Sequence, residues 1–143
     1  MSHWTELLDQ IVARKSKPPS HVAILKLPLI DGWEPGRVWC TWEIDPWLIQ
    51  PQGNLFGGYI SAVADEMLGM ATASVLADGE AFTTSDSHVY YFRPVSGGEL
   101  RIDASVLHKG RSRVHVEVLF TNSNGEMVAK ASATQIILRT TGA

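Results

Sequence analysis

Between Tyr59 and Leu76 the chain carries no proline and no basic residue, and only Ser61, Asp65, Glu66, Thr72 and Ser74 interrupt its apolar character. This pattern predicts a helix that is apolar on nearly every side, of the kind buried in protein or lipid. It is too short and too rich in glycine, alanine and carboxylates to span a bilayer, so the rest of the chain must surround it. The loop ahead of it holds Pro51, Gly53, Gly57 and Gly58, which permit tight backbone geometry at the helix start.

After this helix the hydrophobic period changes from helical to alternating. Leu100, Ile102, Ala104 and Val106 share one face of an extended segment, as do Val114, Val116, Val118 and Phe120, while Arg101, Asp103, His115 and Glu117 point the other way. Turn signals at Ser96-Gly97-Gly98, Lys109-Gly110 and Asn122 to Gly125 separate these runs, as a meander of antiparallel hairpins requires. In the last run, Ala129, Ala131 and Ala133 form a face with little side-chain volume, against which a bulky element can pack closely. A helix of about 20 residues and a strand of about ten are both roughly 30 Å long. The expected architecture is therefore α+β, a long antiparallel sheet wrapped around one central helix.

The N-terminal part is read more briefly. Trp4, Leu7, Leu8 and Ile11 predict a short amphipathic helix over His3 to Arg14, and Lys15 to Ser20, with Pro18 and Pro19, reads as a linker. Two strands are expected, Val22 to Leu27 and Arg37 to Ile44, around a loop containing Gly32, Pro35 and Gly36. The five tryptophans read as core or interface packing.

Composition narrows the classes. At 143 residues and 45% hydrophobic content, a single domain over 1–143 is expected, with 1–20 as its N-terminal helix and linker. A net charge of −3 gives no support for nucleic acid or an anionic membrane as main partner. The lone Cys40 excludes an internal disulfide framework, and no signal peptide pattern is present, so a cytoplasmic protein is expected.

Among chemically capable residues, Asp65 stands out because Ser61, Ala62, Leu68 and Gly69, its neighbours at helical spacing, are small or apolar. Burial there would raise its pKa and make it a better base, although a structurally capped carboxylate fits the same pattern. Gln50 and Thr84 are a loop amide and a strand hydroxyl, groups that commonly satisfy backbone. His88 is expected on one strand face with Thr84, Asp86 and Tyr90, too common an arrangement to define a metal site or a triad, and Ser61 and Ser74 lack a nucleophile-elbow context. His108, Lys109, Arg111 and Arg113 form a basic turn in an acidic chain.

Over roughly Trp33 to Leu138 the sequence resembles the hotdog-fold thioesterase superfamily. The resemblance rests on Gly57-Gly58 at the helix start, an acidic residue two turns in, Phe92-Arg93-Pro94-Val95, and Val106 to Arg111. The sheet segments look like the phenylacetate-degradation type of acyl-CoA thioesterase, which usually carries His-Gly-Gly where this chain has Phe56-Gly57-Gly58. Gly53-Asn54-Leu55-Phe56-Gly57-Gly58 is similar to the medium- and long-chain acyl-CoA hydrolase branch.

The resemblance implies a hotdog fold and hydrolysis of an acyl-CoA by a homodimer or homotetramer. It casts Asp65 as base or nucleophile, the Gly57 N–H as oxyanion donor, and Gln50 and Thr84 as contacts to carbonyl or water, with the carboxylate and the glycine coming from different subunits. Phe56 and Gly58 would lie at the substrate, and His108, Lys109, Gly110 and Arg111 would meet the phosphates of coenzyme A. No cofactor or metal is implied, coenzyme A entering only as part of the substrate. A helix N-terminus suits the oxyanion role, because its first N–H groups lack intrahelical acceptors and glycine lets a carbonyl approach. Tyr59, Val63, Met67 and Met70 are the expected apolar lining. A non-catalytic acyl-CoA-binding module, and a hydratase or dehydratase using His88, are the alternatives.

Overall fold

The computed structural model describes residues 2–140. In chain order the elements are α1 (His3–Val12), α2 (Ser20–Leu25), β1 (Gly32–Glu34), β2 (Arg37–Glu43), a 3-10 turn (Pro46–Leu48), α3 (Gly57–Ala73), β3 (Glu80–Tyr91), β4 (Glu99–Lys109), β5 (Arg113–Thr121) and β6 (Met127–Arg139). The strands form one antiparallel sheet in the order β1-β2-β4-β5-β6-β3.

The central helix is where the pattern placed it. Val63, Met67 and Ala71 of α3 are fully buried in one core with Ala104, Val118, Phe120, Ala129 and Ala131 from the inward face of the sheet. Each larger apolar side chain buried this way contributes about 1.5–3 kcal/mol, so this seam dominates the fold's stability. The alanines of β6 are all inward, and Gly69 lies so close to Phe82 that an added Cβ would meet its ring at 3.3 Å. On the side of α3 away from the sheet, α1 and the following segment contribute Leu8, Val22 and Ile30 to the same core. Trp4 donates its indole N–H to the Glu80 carbonyl, and Trp33 donates to Asp9, tying α1 to the sheet. Among the described residues no helix is long and apolar enough to cross a membrane.

Three local expectations are corrected. Val22 to Leu27 is not a strand: Ser20–Leu25 is helical, follows Pro19, and ends at Lys26 with φ 52°. The edge beside β2 is already taken by the three-residue β1, and a single helical turn lets Val22 bury while Ile24 stays in solvent. Second, only β4, β5 and β6 form a meander. The Ser96-Gly97-Gly98 turn joins β3 to β4 across the sheet, because β3 pairs with the far edge of β6. Third, β3 is bulged between Thr84 and Asp86, so Thr84 shares the inward side with Ser87, Val89 and Tyr91, and His88 faces outward with Asp86, 3.3 Å away.

The two sheet edges differ. β1 is three residues long, whereas β3 is twelve and is hydrogen-bonded on one side only, with Thr83 to His88 all exposed.

Candidate active site

The start of α3 is held from both sides. Gln50 N–H donates to the Asn54 carbonyl at 2.8 Å, Gly53 N–H returns a bond to Gln50, and Phe56 N–H donates to Leu48, so the loop delivers the chain to Gly57 in a fixed direction. Phe56 is the N-cap residue, and its side chain offers no acceptor to the first helical N–H groups. Those donors remain for another acceptor, at the positive end of the helix dipole.

Tyr91 closes the other side. Its hydroxyl donates to the Gly57 carbonyl at 3.0 Å, which leaves Ser61 Oγ, 2.6 Å away, to donate to Tyr91. A Cβ at position 57 would stand 3.2 Å from the Tyr91 ring, so any larger residue there must displace the ring. Gln50, Gly57, Tyr91 and Arg93 line a cavity of about 360 Å³ with Leu55 and Ile60. The Gln50 amide is only loosely tied, its Nε2 donating to the Leu55 carbonyl at 3.5 Å. Phe56 is half exposed, with its ring over Gly58.

Asp65 belongs to a second constellation. Gly57, Ser61, Asp65 and Gly69 recur at every fourth position and share one face of α3. Tyr91 meets that face at Gly57 and Ser61, and Phe82 meets it at Gly69. From the Gly69–Phe82 contact, one turn of α3 toward its N-terminus reaches Asp65, about 6 Å away. Two residues of β3 in the same direction reach Thr84, about 7 Å away. Helix and strand thus bring Asp65 and Thr84 to the same level of the open β3 side. The expected burial of Asp65 is not found within one chain: it is exposed, as is Thr84. The Thr84 hydroxyl donates to Gln135 Oε1 at 2.7 Å, and Gln135 is wholly buried.

The remaining candidates lie elsewhere. Gly57 and Asp65 are eight residues apart on one helix, about 12 Å along its axis. The basic hairpin sits at the opposite end of α3 from Gly57. There Lys109 Nζ donates to the Val75 carbonyl at 2.7 Å and to Glu80 at 3.2 Å, and Gly110 N–H closes the turn on Arg113. His108 stacks toward His115, and Arg111 is exposed with its carbonyl accepting from Arg139. His88, on the outer face, does not reach the α3 side of the sheet. Of the expected lining, Val63 and Met67 are packed against the sheet, Tyr59 lines a separate cavity beside Trp47, and Met70 lines another under α1. Trp47 itself is 92% exposed, unlike a core tryptophan. Burial pushes the Cys40 thiol up to about 12, so it is inert as a nucleophile.

Two residues of these constellations were not singled out from sequence. Gln135 could have been, since it is the one polar residue at an inward position between Ala133 and Ile137. Tyr91 carried no such mark, because only the fold brings it to Gly57.

Comparison with known proteins identifies the family and the fold. The sequence model of the thioesterase superfamily matches residues 52–129, more than half of the chain. Acyl-coenzyme A thioesterase 13 of Homo sapiens is 25% identical over 138 residues, covering 94% of this chain and 97% of that protein. A phenylacetic acid degradation-related protein from Ralstonia eutropha JMP134 has the same fold, with a TM-score of 0.79, 23% identity, and coverage of 90% of this chain and 98% of that one. The smu.793 protein of Streptococcus mutans UA159, solved bound to acetyl CoA, is 30% identical with a TM-score of 0.71, covering 77% of this chain and 87% of that one. The matched segment contains the α3 start, Asp65, Thr84 and Tyr91, and the chain accordingly belongs to the thioesterase superfamily and is a thioesterase of hotdog fold.

Proposed function

We propose that the protein hydrolyses an acyl-CoA at a site made by two copies of the chain, the Gly57 half from one and the Asp65 half from the other. The observation that carries this reading is the separation of about 12 Å between Gly57 and Asp65 on a single helix. One thioester carbonyl needs both its oxyanion donor and its base within about 3 Å, so one chain cannot supply both. The open edge of β3 offers the means of joining two chains. If two β3 strands pair antiparallel about a two-fold axis, the two α3 helices run in opposite senses, and the Gly57 of each comes opposite the Asp65 of the other. Pairing also covers Asp65, which places its carboxylate against the bound thioester and away from bulk water.

In this arrangement the carbonyl oxygen accepts from the Gly57 N–H, with the Gln50 amide beside it. Asp65 takes a proton from water as the water oxygen bonds to the carbonyl carbon. The tetrahedral intermediate then collapses, breaking the carbon–sulfur bond, and the thiolate leaves as CoA after regaining a proton. From Asp65 to the basic hairpin is ten residues of α3 and its following turn, about 15 Å if helical throughout. An extended pantetheine arm can cover that span and bring its phosphates to Arg111 and His108. The relative solved with acetyl CoA and the one named as an acyl-coenzyme A thioesterase support this substrate class.

Subunit complementation tests it. D65N and Gly57→Val chains, each inactive alone, are co-refolded. Half of the resulting dimers are hybrids with one intact site, so about a quarter of wild-type acyl-CoA hydrolysis returns. No recovery in verified hybrids would overturn the shared site.

A further inference from the structure

We infer that Gln135 is a positioning residue for the hydrolytic water, acting through Thr84; the inference rests on the proposal that Thr84 stands at that water. Gln135 lies on the inward face of β6, directly across from Thr84 on one side and Val114 on the other. It is 0% exposed, and its inward neighbours along the strand are Ala133 and Ile137. Its Oε1 accepts a hydrogen bond from the Thr84 hydroxyl at 2.7 Å. Among the described residues its Nε2 has no hydrogen-bond partner, although the atom is buried.

That combination is unfavourable for folding alone. A buried amide with an unpartnered nitrogen loses its hydration without full compensation, and an apolar side chain of similar volume would avoid the loss. The position opposite Val114 and between Ala133 and Ile137 would accept leucine or methionine. A buried amide at this position therefore points to what it does for its one partner.

A threonine hydroxyl has a single proton and two lone pairs. With the proton committed inward to Gln135, Thr84 can only accept from the exposed side. A water at the level of Asp65 and Thr84 then gives one hydrogen to Thr84 Oγ1 and the other to the Asp65 carboxylate, and its lone pair is left facing the thioester carbon. On attack the water oxygen bonds to that carbon, and the proton shared with Asp65 passes to the carboxylate. Without Gln135 the Thr84 hydroxyl rotates freely and can donate to the water or to Asp65, which occupies the electron pair needed for attack or for proton removal. Two buried or strand-held groups thus set the direction of a hydrogen bond at an otherwise solvent-facing carboxylate.

The test is a double-variant cycle read on kcat, KM and Tm with an acyl-CoA substrate. Thr84→Val and Gln135→Leu are each expected to lower kcat about tenfold with KM little changed, and the double variant to stay near tenfold, because both remove the same oriented hydroxyl. Gln135→Leu should melt no lower than the wild type, whereas a merely structural glutamine would lower Tm and leave kcat of the folded fraction intact. Gln135→Met serves the same comparison if leucine does not fold. Wild-type kcat in Thr84→Val would overturn the role of Thr84 itself. Slow Thr84→Val with wild-type kcat in Gln135→Leu, or a double variant near a hundredfold, would overturn the role of Gln135 alone.

Discussion

The Gly57 half-site and the Asp65 half-site lie on the same face of α3 but are made of different materials. The first is backbone: N–H groups left free by the geometry of a helix start, aimed by the loop bonds of Gln50, Gly53 and Phe56, and packed beneath the Tyr91 ring. The second is side chains: an exposed carboxylate, an exposed hydroxyl and a buried amide that binds it. The first half is complete in one chain. The second is set on an unpaired strand, and its carboxylate gains a low-dielectric surrounding only when something covers that strand. On the proposed reading, activity depends on assembly chiefly through Asp65, since the groups around Gly57 already come from one chain.

The largest effect is expected from D65N. Removing a positioned base costs about 10²–10⁴ in rate, so kcat should fall by that factor while KM changes little. Because the group is exposed within a chain, the thermal midpoint of the isolated fold should not drop. A loss of activity that tracks a loss of folded protein would assign Asp65 to structure instead.

Next comes β3, the strand along which the proposed dimer pairs. Ser85→Lys combined with His88→Lys places like charges along the open edge of β3 at positions exposed in the chain. The variant should elute as a folded monomer and lose at least about a hundredfold in kcat/KM, as if one member of the donor and base pair were missing. Retention of activity by a monomer would show that one chain suffices.

A smaller loss is expected at the backbone half. In G57A the new methyl meets Tyr91 Cε1 at 3.2 Å and Cζ at 3.4 Å, so the ring must shift and the carbonyl loses some of its approach to the N–H. About a tenfold fall in kcat is expected, since the donor is displaced but not removed. G57A combined with Tyr91→Ala, which clears the ring, should recover part of that loss if crowding is the cause.

The two halves also differed in how far they could be read from the chain. Gly57-Gly58 after a loop and before an apolar run marks a helix start by itself, and Asp65 is conspicuous because its helical neighbours are small. Their grouping with Tyr91 and Gln135 depends on which strand lies beside α3, and the expected meander would have put β3 next to β4. The crossover that instead places β3 beyond β6 is a long-range result that no local turn encodes. The bulge between Thr84 and Asp86 is similar: one extra residue reverses the side on which His88 lies, and strict alternation cannot anticipate it. The helix at Ser20–Leu25 escapes the pattern because β-branched and apolar residues from Val22 to Leu27 also suit a strand, while the available sheet edge is already filled by β1.

The smallest effect should fall outside both halves, at the far end of α3. Glu80 accepts from the Ala77 N–H at 2.8 Å, from Lys109 at 3.2 Å and from Arg139 at 3.2 Å, and these contacts, the backbone bond first, hold its carboxyl below the ordinary value of 4.5. A group whose folded pKa is lowered stabilises the fold above its unfolded pKa, and that contribution is lost as pH falls through the folded value. E80Q should therefore melt lower than the wild type at pH 7, with the gap closing below about pH 4.5, where the unfolded-state carboxyl begins to take up protons. Because Lys109 is bound here to Glu80 and to the Val75 carbonyl, E80Q also frees a cation on the hairpin proposed to meet the CoA phosphates. If Lys109 serves the fold and Arg111 and His108 serve the substrate, KM for acyl-CoA should stay within about twofold at neutral pH, a change of roughly 0.4 kcal/mol. A KM that falls well beyond that would move Lys109 from the structural side to the binding side.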